Sequence, residues 1–461
     1  MAIGNLIRQG YSQVILISLV TFCCPGFFNA LQGMGGAGAA DPTAAAASNA
    51  LLYLMFAVMG YVSGAAFNMF GPRILLSLGG FTYAIYCACA YLSVAHTSLN
   101  WLFIISGAVL GVGAALLWTG SSVVVSYAPE GKRGKYIATF WTIFNLGAMI
   151  GGFLQFGLNF NEEQTGGASS LSYFIFVAVM VLGSIVAALF VVSPGEVVKE
   201  DGSAVEVERP KSPTEELRAV MSVVTDKNML LLFVLFFGSN FFYPYMFGGV
   251  NAFTFTIRTR GLNSALYWGF QSLGSIVLGY ILDNKKKTST QRAFTGLWVV
   301  VIVLNIAYAM GCYFEYGTIG YFNKDHPMDN PLDFTDSAFV YPLIVFIIYG
   351  FGDSMLQSYA YWIMGAMAKD DTLLTARYVG FYKSVQSFGA AIGWILDIKQ
   401  CNIPYVYQYW TCWIVFLVAI PPTYLAVCRL AKSESSTVNL KESGLFAETT
   451  NDFESTPQSV L

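Results

Sequence analysis

The sequence has few charged residues, because Asp, Glu, Lys and Arg together make up 11% of its 461 residues. Soluble domains carry about 25% charged residues, whereas hydrophobic residues reach 56% here. A chain of this composition cannot bury its apolar surface in one water-soluble core. We therefore expect an all-α membrane protein whose apolar helices are solvated by a lipid bilayer.

Histidine is also scarce, with two residues, and the motifs that carry catalysis or bind metals are missing. No CxxC, HExxH or P-loop occurs, and Gly33–Gly38 fits G-x-G-x-x-G without the strand that a nucleotide-binding domain needs. Cys312 and Cys401 both fall near one predicted face, and two free thiols are favoured over a disulfide. We expect no enzyme, no cofactor and no metal site. The net charge of −3 gives no reason to expect a nucleic-acid partner.

Long apolar runs are abundant, and a membrane-spanning helix needs about 20 mostly apolar residues. Twelve runs meet this requirement, and the first six carry no charged side chain in their interiors. The second half differs, since Asp353 and Lys383 each lie in the middle of a run. Predicted spans 1 to 12 cover residues 10–33, 44–70, 73–95, 99–127, 135–160, 170–193, 228–257, 262–283, 290–314, 337–367, 374–397 and 404–430.

A polar segment divides the twelve spans into two sets of six, which is typical of a transporter built from two six-helix bundles. We predict a first bundle over 1–193, a cytoplasmic central loop over 194–227, a second bundle over 228–430 and a disordered cytoplasmic tail over 431–461. In the central loop, Ser212, Pro213 and Glu215 have the pattern of a helix N-terminus and predict a short helix.

The distribution of Lys and Arg predicts that both termini are cytoplasmic, because positive residues concentrate on that side of a membrane. With this orientation, 19 of the 24 Lys and Arg residues are cytoplasmic. The exceptions are Lys383, which is embedded, and Arg258, Arg260, Lys324 and Lys399 on the outer side. For the two arginines we expect a salt bridge to the acidic outer loop, with an anion or partner contact as the alternative. The acids of that loop are Glu315, Asp325, Asp329, Asp333 and Asp336.

The two embedded charges mark the candidate site, since ionised groups inside a membrane are costly and usually functional. On span 10, Tyr349, Asp353 and Gln357 follow one another at four-residue steps and share one helix face. On span 11, Gln386 lies one turn beyond Lys383. We predict a direct Asp353–Lys383 pair, which is either a substrate- or ion-binding site or a permanent structural salt bridge.

Uncharged amides add to this candidate site. In a two-bundle transporter, spans 1, 4, 7 and 10 line the central cavity, which suits Asn29 on span 1 and Asn240 on span 7. Each of these amides can instead form an interhelical hydrogen bond, so both interpretations stay open.

Paired small residues predict close helix contacts. Gly147 and Gly151 form such a pair on span 5, and Gly389 and Gly393 form another on span 11. A similar pair on span 4 keeps ordinary packing as an alternative explanation.

The connection between spans 2 and 3 resembles the signature G-x-x-x-D-x-x-G-x-R of the major facilitator superfamily. Gly64, Gly71 and Arg73 match the signature, whereas Asn68 stands where the family has Asp. Asp283 occupies the corresponding place in the second half. The resemblance implies the twelve-span fold of that superfamily and a gate at the cytoplasmic side, and Asn68 puts ordinary alternating access in question.

A more specific resemblance, over about residues 10–430, is to the uncoordinated-ninety-three family, the ion-channel-regulator-like branch of that superfamily, and to its fungal and lower-eukaryote members. The resemblance implies a transporter of a small solute or ion, or else a regulatory or escort subunit of a channel or receptor. Asn68 favours the second hypothesis, and the polar face of span 10 favours the first. The matching segments are 26–33, 118–127, 140–145, 250–253, 258–260 and 380–387.

Overall fold

The computed structural model describes residues 6–38, 41–129, 133–161, 168–203, 205, 213–284, 286–319, 330–368, 372–401 and 403–442. In these ranges the regular secondary structure is helical, apart from two isolated bridges that join Gln9 with Val198 and Phe255 with Leu332. This agrees with the predicted all-α membrane protein.

The first half contains spans 1 to 6, and its first span is interrupted. Span 1 consists of the helix Gly10–Thr21, the π-helical turn Phe22–Gly26 and the helix Phe27–Gly33. The remaining helical elements are the 3₁₀ turn Gly36–Gly38, Pro42–Ala95 for spans 2 and 3, the 3₁₀ turn Thr97–Leu99, Asn100–Ser121 for span 4, the 3₁₀ turn Ser122–Val125, Arg133–Leu158 for span 5, and Ser170–Phe190 for span 6.

The second half contains spans 7 to 12, and its first span is interrupted in the same way. Span 7 consists of the helix Lys227–Phe241 followed by the π-helical segment Pro244–Ala252. The other helices are Ile257–Leu282 for span 8, Ser289–Phe314 with the π-turn Glu315–Ile319 for span 9, Val340–Met367 for span 10, Thr372–Leu396 for span 11, and Tyr405–Glu442 for span 12; short 3₁₀ turns lie at Pro194–Glu196, Ser337–Phe339 and Lys399–Cys401, and the helix Pro213–Val224 lies between the halves.

Among the described residues, eleven of these helical segments are long and apolar enough to cross a membrane. Span 11 is not one of the eleven, although it has 25 residues. Polar side chains such as Lys383 and Gln386 lie in its middle and reduce its mean hydropathy. Large apolar side chains point outward along the spans, for example Met69 at 75% and Ile276 at 68% exposure. These surfaces suit contact with a lipid bilayer.

Both ends of the set of spans lie at the same face of the molecule. Gly10 N donates to Val198 O at 2.8 Å, which places the start of span 1 beside the segment after span 6. Arg429 Nε donates to Asn228 Oδ1 at 3.0 Å, which places the end of span 12 beside the start of span 7. We call this face the terminal face, and the other the opposite face.

Two separate clusters of buried apolar side chains correspond to the two halves of the chain. One is formed mainly by spans 1 to 6 and includes Phe103, Tyr173 and Phe176. The other is formed mainly by spans 7 to 12 and includes Tyr349 and Tyr409. The structure therefore consists of two six-helix bundles.

Two boundaries differ from those drawn on the sequence. Spans 2 and 3 run as one helical element that turns at Gly71, whose φ of 72° is a conformation that only glycine adopts without strain. Span 12 continues beyond residue 430 to Glu442, and Thr290 N donates to Glu434 Oε2 at 3.1 Å, which holds the extension against span 9. Residues 443–461 of the predicted tail, and Ser212 of the predicted helix start, lie outside the described residues. Cys312 and Cys401 are both free.

The glycine pairs on spans 5 and 11 lie against spans 1 and 7 of their own bundles. A Cβ at Gly147 would lie 2.5 Å from Phe22 O, within the interruption of span 1, and one at Gly151 would lie 2.7 Å from Ala30 Cβ. The equivalent contacts in the second bundle join Gly389 to the main chain of Phe237 and Gly393 to Phe241 O and Pro244. The predicted close contacts therefore form within each bundle, at equivalent places in the two halves.

Replacing Gly389 by Ala should destabilise the protein, because the added methyl group would collide with the main chain of Phe237, which has no flexible end to move aside. Overpacking of this kind costs about 1–3 kcal/mol. Gly380→Ala is the matched control on the same helix, since a Cβ there meets nothing within 4 Å. It should be neutral or slightly stabilising, as Ala is the better helix former. The measurement is the melting temperature of the purified proteins in detergent. Equal melting temperatures for the two variants would contradict this prediction.

Candidate functional site

Asp353 is fully buried on span 10 and accepts hydrogen bonds from three spans. Its Oδ2 accepts from Gln271 Nε2 at 2.7 Å, from the Tyr267 hydroxyl at 3.1 Å and from the Tyr243 hydroxyl at 3.3 Å. Its Oδ1 accepts from Gln357 Nε2 at 2.8 Å. All four donors are neutral, and such charge-assisted bonds stabilise a carboxylate without a cation beside it.

Lys383 lies on span 11 within a box of aromatic rings. Its Nζ is 5.3 Å from the ring centroid of Tyr382, 5.5 Å from that of Tyr361 and 5.9 Å from that of Trp118. The ammonium group also donates to Gln386 Oε1 at 2.8 Å. Aromatic faces attract a cation, and Trp118 belongs to the first bundle, so both bundles stabilise this charge.

No direct ion pair joins Asp353 and Lys383 in the described structure, and the expected contact is replaced by a chain of two glutamines. Gln357 bonds Asp353, Gln386 bonds Lys383, and Gln386 Nε2 donates to Gln357 Oε1 at 3.3 Å. Gln386 also donates to Asn240 Oδ1 at 3.1 Å. The two amides lie one helical turn from the two charges and fill the space between them.

The other residues predicted for the site have different positions. Asn240 belongs to the network through Gln386. Tyr349 is buried against Tyr308, with ring centroids 5.2 Å apart, and its hydroxyl has no partner among the described residues. Asn29 is half-buried and contributes its main-chain oxygen, which accepts from Trp268 Nε1 at 3.2 Å. The structure thus joins Asp353, Gln357, Gln386, Lys383 and Asn240, and separates Tyr349 and Asn29 from them.

Three partners of Asp353 do not appear among the residues predicted from the sequence. Tyr243 is one of many aromatic residues at the end of span 7, and nothing in the pattern distinguishes it from a packing residue. Tyr267 and Gln271 lie one turn apart on span 8, with Gln271 in the interior of an apolar run. This buried amide is the signal that could have identified span 8 as part of the site.

These groups can form hydrogen bonds and ion pairs with a polar solute. The network offers one carboxylate, one ammonium group, amides and phenolic hydroxyls. Among the described residues, no three His, Cys, Asp or Glu side chains come together in a way that could hold a metal ion.

Among the described side chains of the predicted gating motif, no hydrogen bond or ion pair joins the two bundles. Arg73 Nε donates to Ala188 O of span 6 at 2.6 Å, within the first bundle. A Cβ at Gly64 or Gly71 would meet nothing within 4 Å, and Asp283 is exposed at the end of span 8. The side chain of Asn68 lies outside the described part of the structure.

Toward the opposite face the two bundles are in main-chain contact. A Cβ at Gly152 on span 5 would lie 2.5 Å from Ala265 N on span 8, and one at Gly261 would lie 2.6 Å from Phe156 N. Ser264 Oγ of span 8 donates to Ala30 O of span 1 at 3.1 Å. Contacts this close leave no passage between spans 5 and 8 on this side.

Toward the terminal face the bundles meet through long side chains. Trp141 on span 5 and Tyr361 on span 10 have ring centroids 6.2 Å apart. Glycines of this half of the molecule, such as Gly64 and Gly279, have nothing within 4 Å of an added Cβ. Lys383 is only half-buried. The site is therefore closed from the opposite face by main chain and covered toward the terminal face by aromatic side chains.

Arg258 connects the bundles at the opposite face. Its Nε and Nη2 donate to the two carboxylate oxygens of Asp333 at 2.7 and 2.8 Å, and its Nη1 donates to Phe160 O of the first bundle at 2.9 Å. The guanidinium carbon lies 5.7 Å from the ring centroid of Phe160 and 5.2 Å from that of Phe334. The expected salt bridge thus forms, with Asp333 as the partner.

The other arginine and the other described acids for which a salt bridge was predicted form hydrogen bonds instead. Arg260 Nε donates to Phe255 O at 2.8 Å. Glu315 is fully buried and accepts a hydrogen bond from Tyr245. Asp336 Oδ2 accepts from Asp333 N at 2.7 Å. Asp325 and Asp329 lie outside the described residues.

Comparison with known proteins identifies the family of this fold. The family model of the Major Facilitator Superfamily matches residues 14–394. UNC93-like protein 1 of Arabidopsis thaliana is 40% identical over 428 residues, which are 92% of this chain and 91% of the relative. The chain belongs to the UNC93-like branch of the major facilitator superfamily. An UNC93-like protein of Schizosaccharomyces pombe is 37% identical over 406 residues, which are 87% of this chain and 79% of the relative.

Solved structures agree with this fold. A point mutant of the nucleoside transporter NupG has a TM-score of 0.58 at 12% identity, covering 92% of this chain and 99% of its own. A partially occluded inward open conformation of the xylose transporter XylE from E. coli has a TM-score of 0.53 at 15% identity, covering 93% and 98%. At these identities the likeness concerns the fold alone, and it agrees with the predicted two six-helix bundles.

The Arg258–Asp333 pair should contribute strongly to stability. Asp333→Ala removes the carboxylate that accepts hydrogen bonds from Nε and Nη2 of Arg258, and breaking a buried pair typically costs about 3–5 kcal/mol. Asp336→Ala is the control, because it removes an acid of the same loop that does not contact Arg258. We expect a clearly lower melting temperature for Asp333→Ala than for Asp336→Ala.

The stability that the Arg258–Asp333 pair contributes should depend on pH in a defined way. Partial burial would raise the pKa of Asp333, but hydrogen bonds from Arg258, Thr256 and Thr335 outweigh it and hold that pKa well below its usual range. A depressed carboxyl pKa contributes stability that is complete above the unfolded value, about 3.9, and is lost only in stronger acid. The difference between Asp333→Ala and wild type should thus stay constant from about pH 8 to pH 5. A difference that vanished by pH 5 would contradict the assignment.

Proposed function

We propose that this protein transports a small polar solute or ion between its two bundles, with Asp353 and Lys383 as the charged groups of the binding site. One observation carries the proposal. Two charges of opposite sign lie near each other within the membrane-spanning helices, yet each is stabilised by neutral groups and not by the other. If the two charges formed only a structural salt bridge between spans 10 and 11, we would expect them to be in direct contact.

Two further features support alternating access. The main-chain contact of spans 5 and 8 closes the site toward the opposite face, whereas aromatic rings cover it toward the terminal face. Because Trp118 of the first bundle is part of the aromatic box around Lys383, a rocking of the bundles changes the surroundings of the charge itself. Binding at the site and the relative position of the bundles are then linked.

The second candidate is a regulatory or escort subunit of a channel or receptor that moves nothing. The observation that favours it is Asn68, which stands where the superfamily signature has an acid. Such a subunit needs a stable fold and a face for its partner, and it does not need a binding site that opens to both sides.

For the orientation, we propose that the terminal face is cytoplasmic, on the basis of the 19 Lys and Arg residues placed on that side. A protease site inserted between Gly202 and Ser203, in an exposed turn of the central loop, should be cut only from the cytoplasmic side of sealed vesicles. The same site inserted after Asn161 is the control and should be cut only from the other side. Reversed cleavage of the two variants would overturn the orientation.

Transport can be tested with a reversible cross-link between the bundles. A Cβ at Gly60 on span 2 would lie 2.9 Å from Ser384 Oγ on span 11, a separation that suits a disulfide between cysteines at these positions. Reconstituted Gly60→Cys/Ser384→Cys protein should lose uptake on oxidation and regain it on reduction. The single variants, treated with the same oxidant, are the controls.

Uptake by the reconstituted protein should be measured for a panel of solutes that contains monovalent cations, sugars and neutral amino acids. If no solute enters faster than into protein-free vesicles, the second candidate is favoured. If a solute enters equally through the oxidised and the reduced double variant, movement between the bundles is not the route.

A further inference from the structure

The charges of the site restrict the class of solute that it can bind. Among the described residues, Asp353 contacts only neutral donors and Lys383 contacts only a neutral acceptor and aromatic rings. The site as a whole is neutral, but its positive and negative ends are separated by Gln357 and Gln386. Neither of the two opposite charges contacts a counter-charge among the described residues, so each would gain from a ligand group of opposite sign.

The separating groups are ones that a ligand can replace. Gln357 and Lys383 are half-buried, as is Trp118, so this part of the network lines the space between the bundles. A side-chain amide carries both donors and an acceptor. Gln357 can give up Asp353 to a better donor, and Gln386 can give up Lys383 to a better acceptor, while each keeps other partners. For Gln386 those partners include Asn240 and Tyr382.

We propose that the site takes a zwitterion, that is, a small solute with an ammonium group and a carboxylate separated by a few carbon atoms. The ammonium group binds Asp353, the carboxylate binds Lys383, and the carbon chain replaces the contact between Gln357 and Gln386. This inference rests on the proposed function and names its substrate class.

Charge balance decides between a zwitterion and a singly charged solute. A cation bound at Asp353 would leave the Lys383 charge uncompensated, and an anion bound at Lys383 would leave the Asp353 charge uncompensated. An uncompensated charge is costly in a medium of low dielectric constant. A zwitterion provides a partner for each end and leaves the net charge of the site unchanged.

Binding can be measured without transport, by the thermal stabilisation of purified protein in detergent. The probes are glycine, β-alanine and 4-aminobutyrate, which differ in the distance between their two charges. β-Alaninamide keeps the ammonium group alone, and N-acetyl-β-alanine keeps the carboxylate alone. We expect at least one of the three zwitterions to bind about 10- to 100-fold more tightly than either singly charged analogue, since each lost charged hydrogen bond is worth a factor of this order.

Single variants should then change the preference in opposite directions. Asp353→Asn should weaken the zwitterion and make N-acetyl-β-alanine the better ligand, whereas Lys383→Met should make β-alaninamide the better one. Tyr349→Phe is the matched control, because it lies one turn from Asp353 and its hydroxyl has no partner among the described residues. It should keep the wild-type preference. The wild-type comparison stands by itself if a charge variant fails to fold.

The inference is overturned if the singly charged analogues bind wild type as well as all three zwitterions do, or if the two charge variants lose all five probes to the same extent. Zwitterion binding without uptake would overturn transport and keep the ligand class. Uptake of a solute that carries one charge or none, together with no zwitterion binding, would overturn the ligand class and keep transport.

Discussion

The interior of a bilayer contains no water to solvate a charge, and the second bundle is organised around that constraint. Asp353 draws hydrogen bonds from spans 7, 8 and 10, which fixes these three helices around one carboxylate. Lys383 is held by rings from both bundles and by one amide. The first bundle has no embedded charge, and its interior network of Gln32, Asn49 and Tyr86 is neutral. The two bundles share a fold but differ in what their interiors must stabilise.

Close main-chain contact positions the helices that surround these charges. Spans 1 and 7 are each interrupted by a π-helical segment that contains a proline, and glycines of spans 5 and 11 lie directly against the interruptions. Glycine permits this approach because it has no side chain. Gly26 and Gly147 are close enough that a Cβ on the former would lie 3.1 Å from the Cα of the latter. The repetition of this arrangement in both halves is the clearest sign of their internal symmetry.

Much of the architecture could be predicted because it depends on composition along the chain. Apolar runs define the spans, and the polar central segment divides the bundles. One charge in the middle of each run distinguishes spans 10 and 11 from the others. The partner of each charge could not be predicted, because it depends on the rotation and depth of one helix against another. The four-residue steps on span 10 place Gln357 beside Asp353 correctly. The same rule also admits Tyr349, whose ring turns instead toward Tyr308. No periodicity on span 8 indicates that Gln271 faces span 10.

The placement of Asp353 and Lys383, two opposite charges, on one bundle also has an electrical consequence. A single charge that crosses the membrane field changes energy by about 2.3 kcal/mol per 100 mV. These two charges lie on spans 10 and 11 of one bundle, so a displacement of that bundle as a whole would move both. When both are ionised, equal displacements of the two do opposite electrical work, and the sum is close to zero. In the proposed transport cycle, these two charges therefore add little voltage dependence to the movement of this bundle.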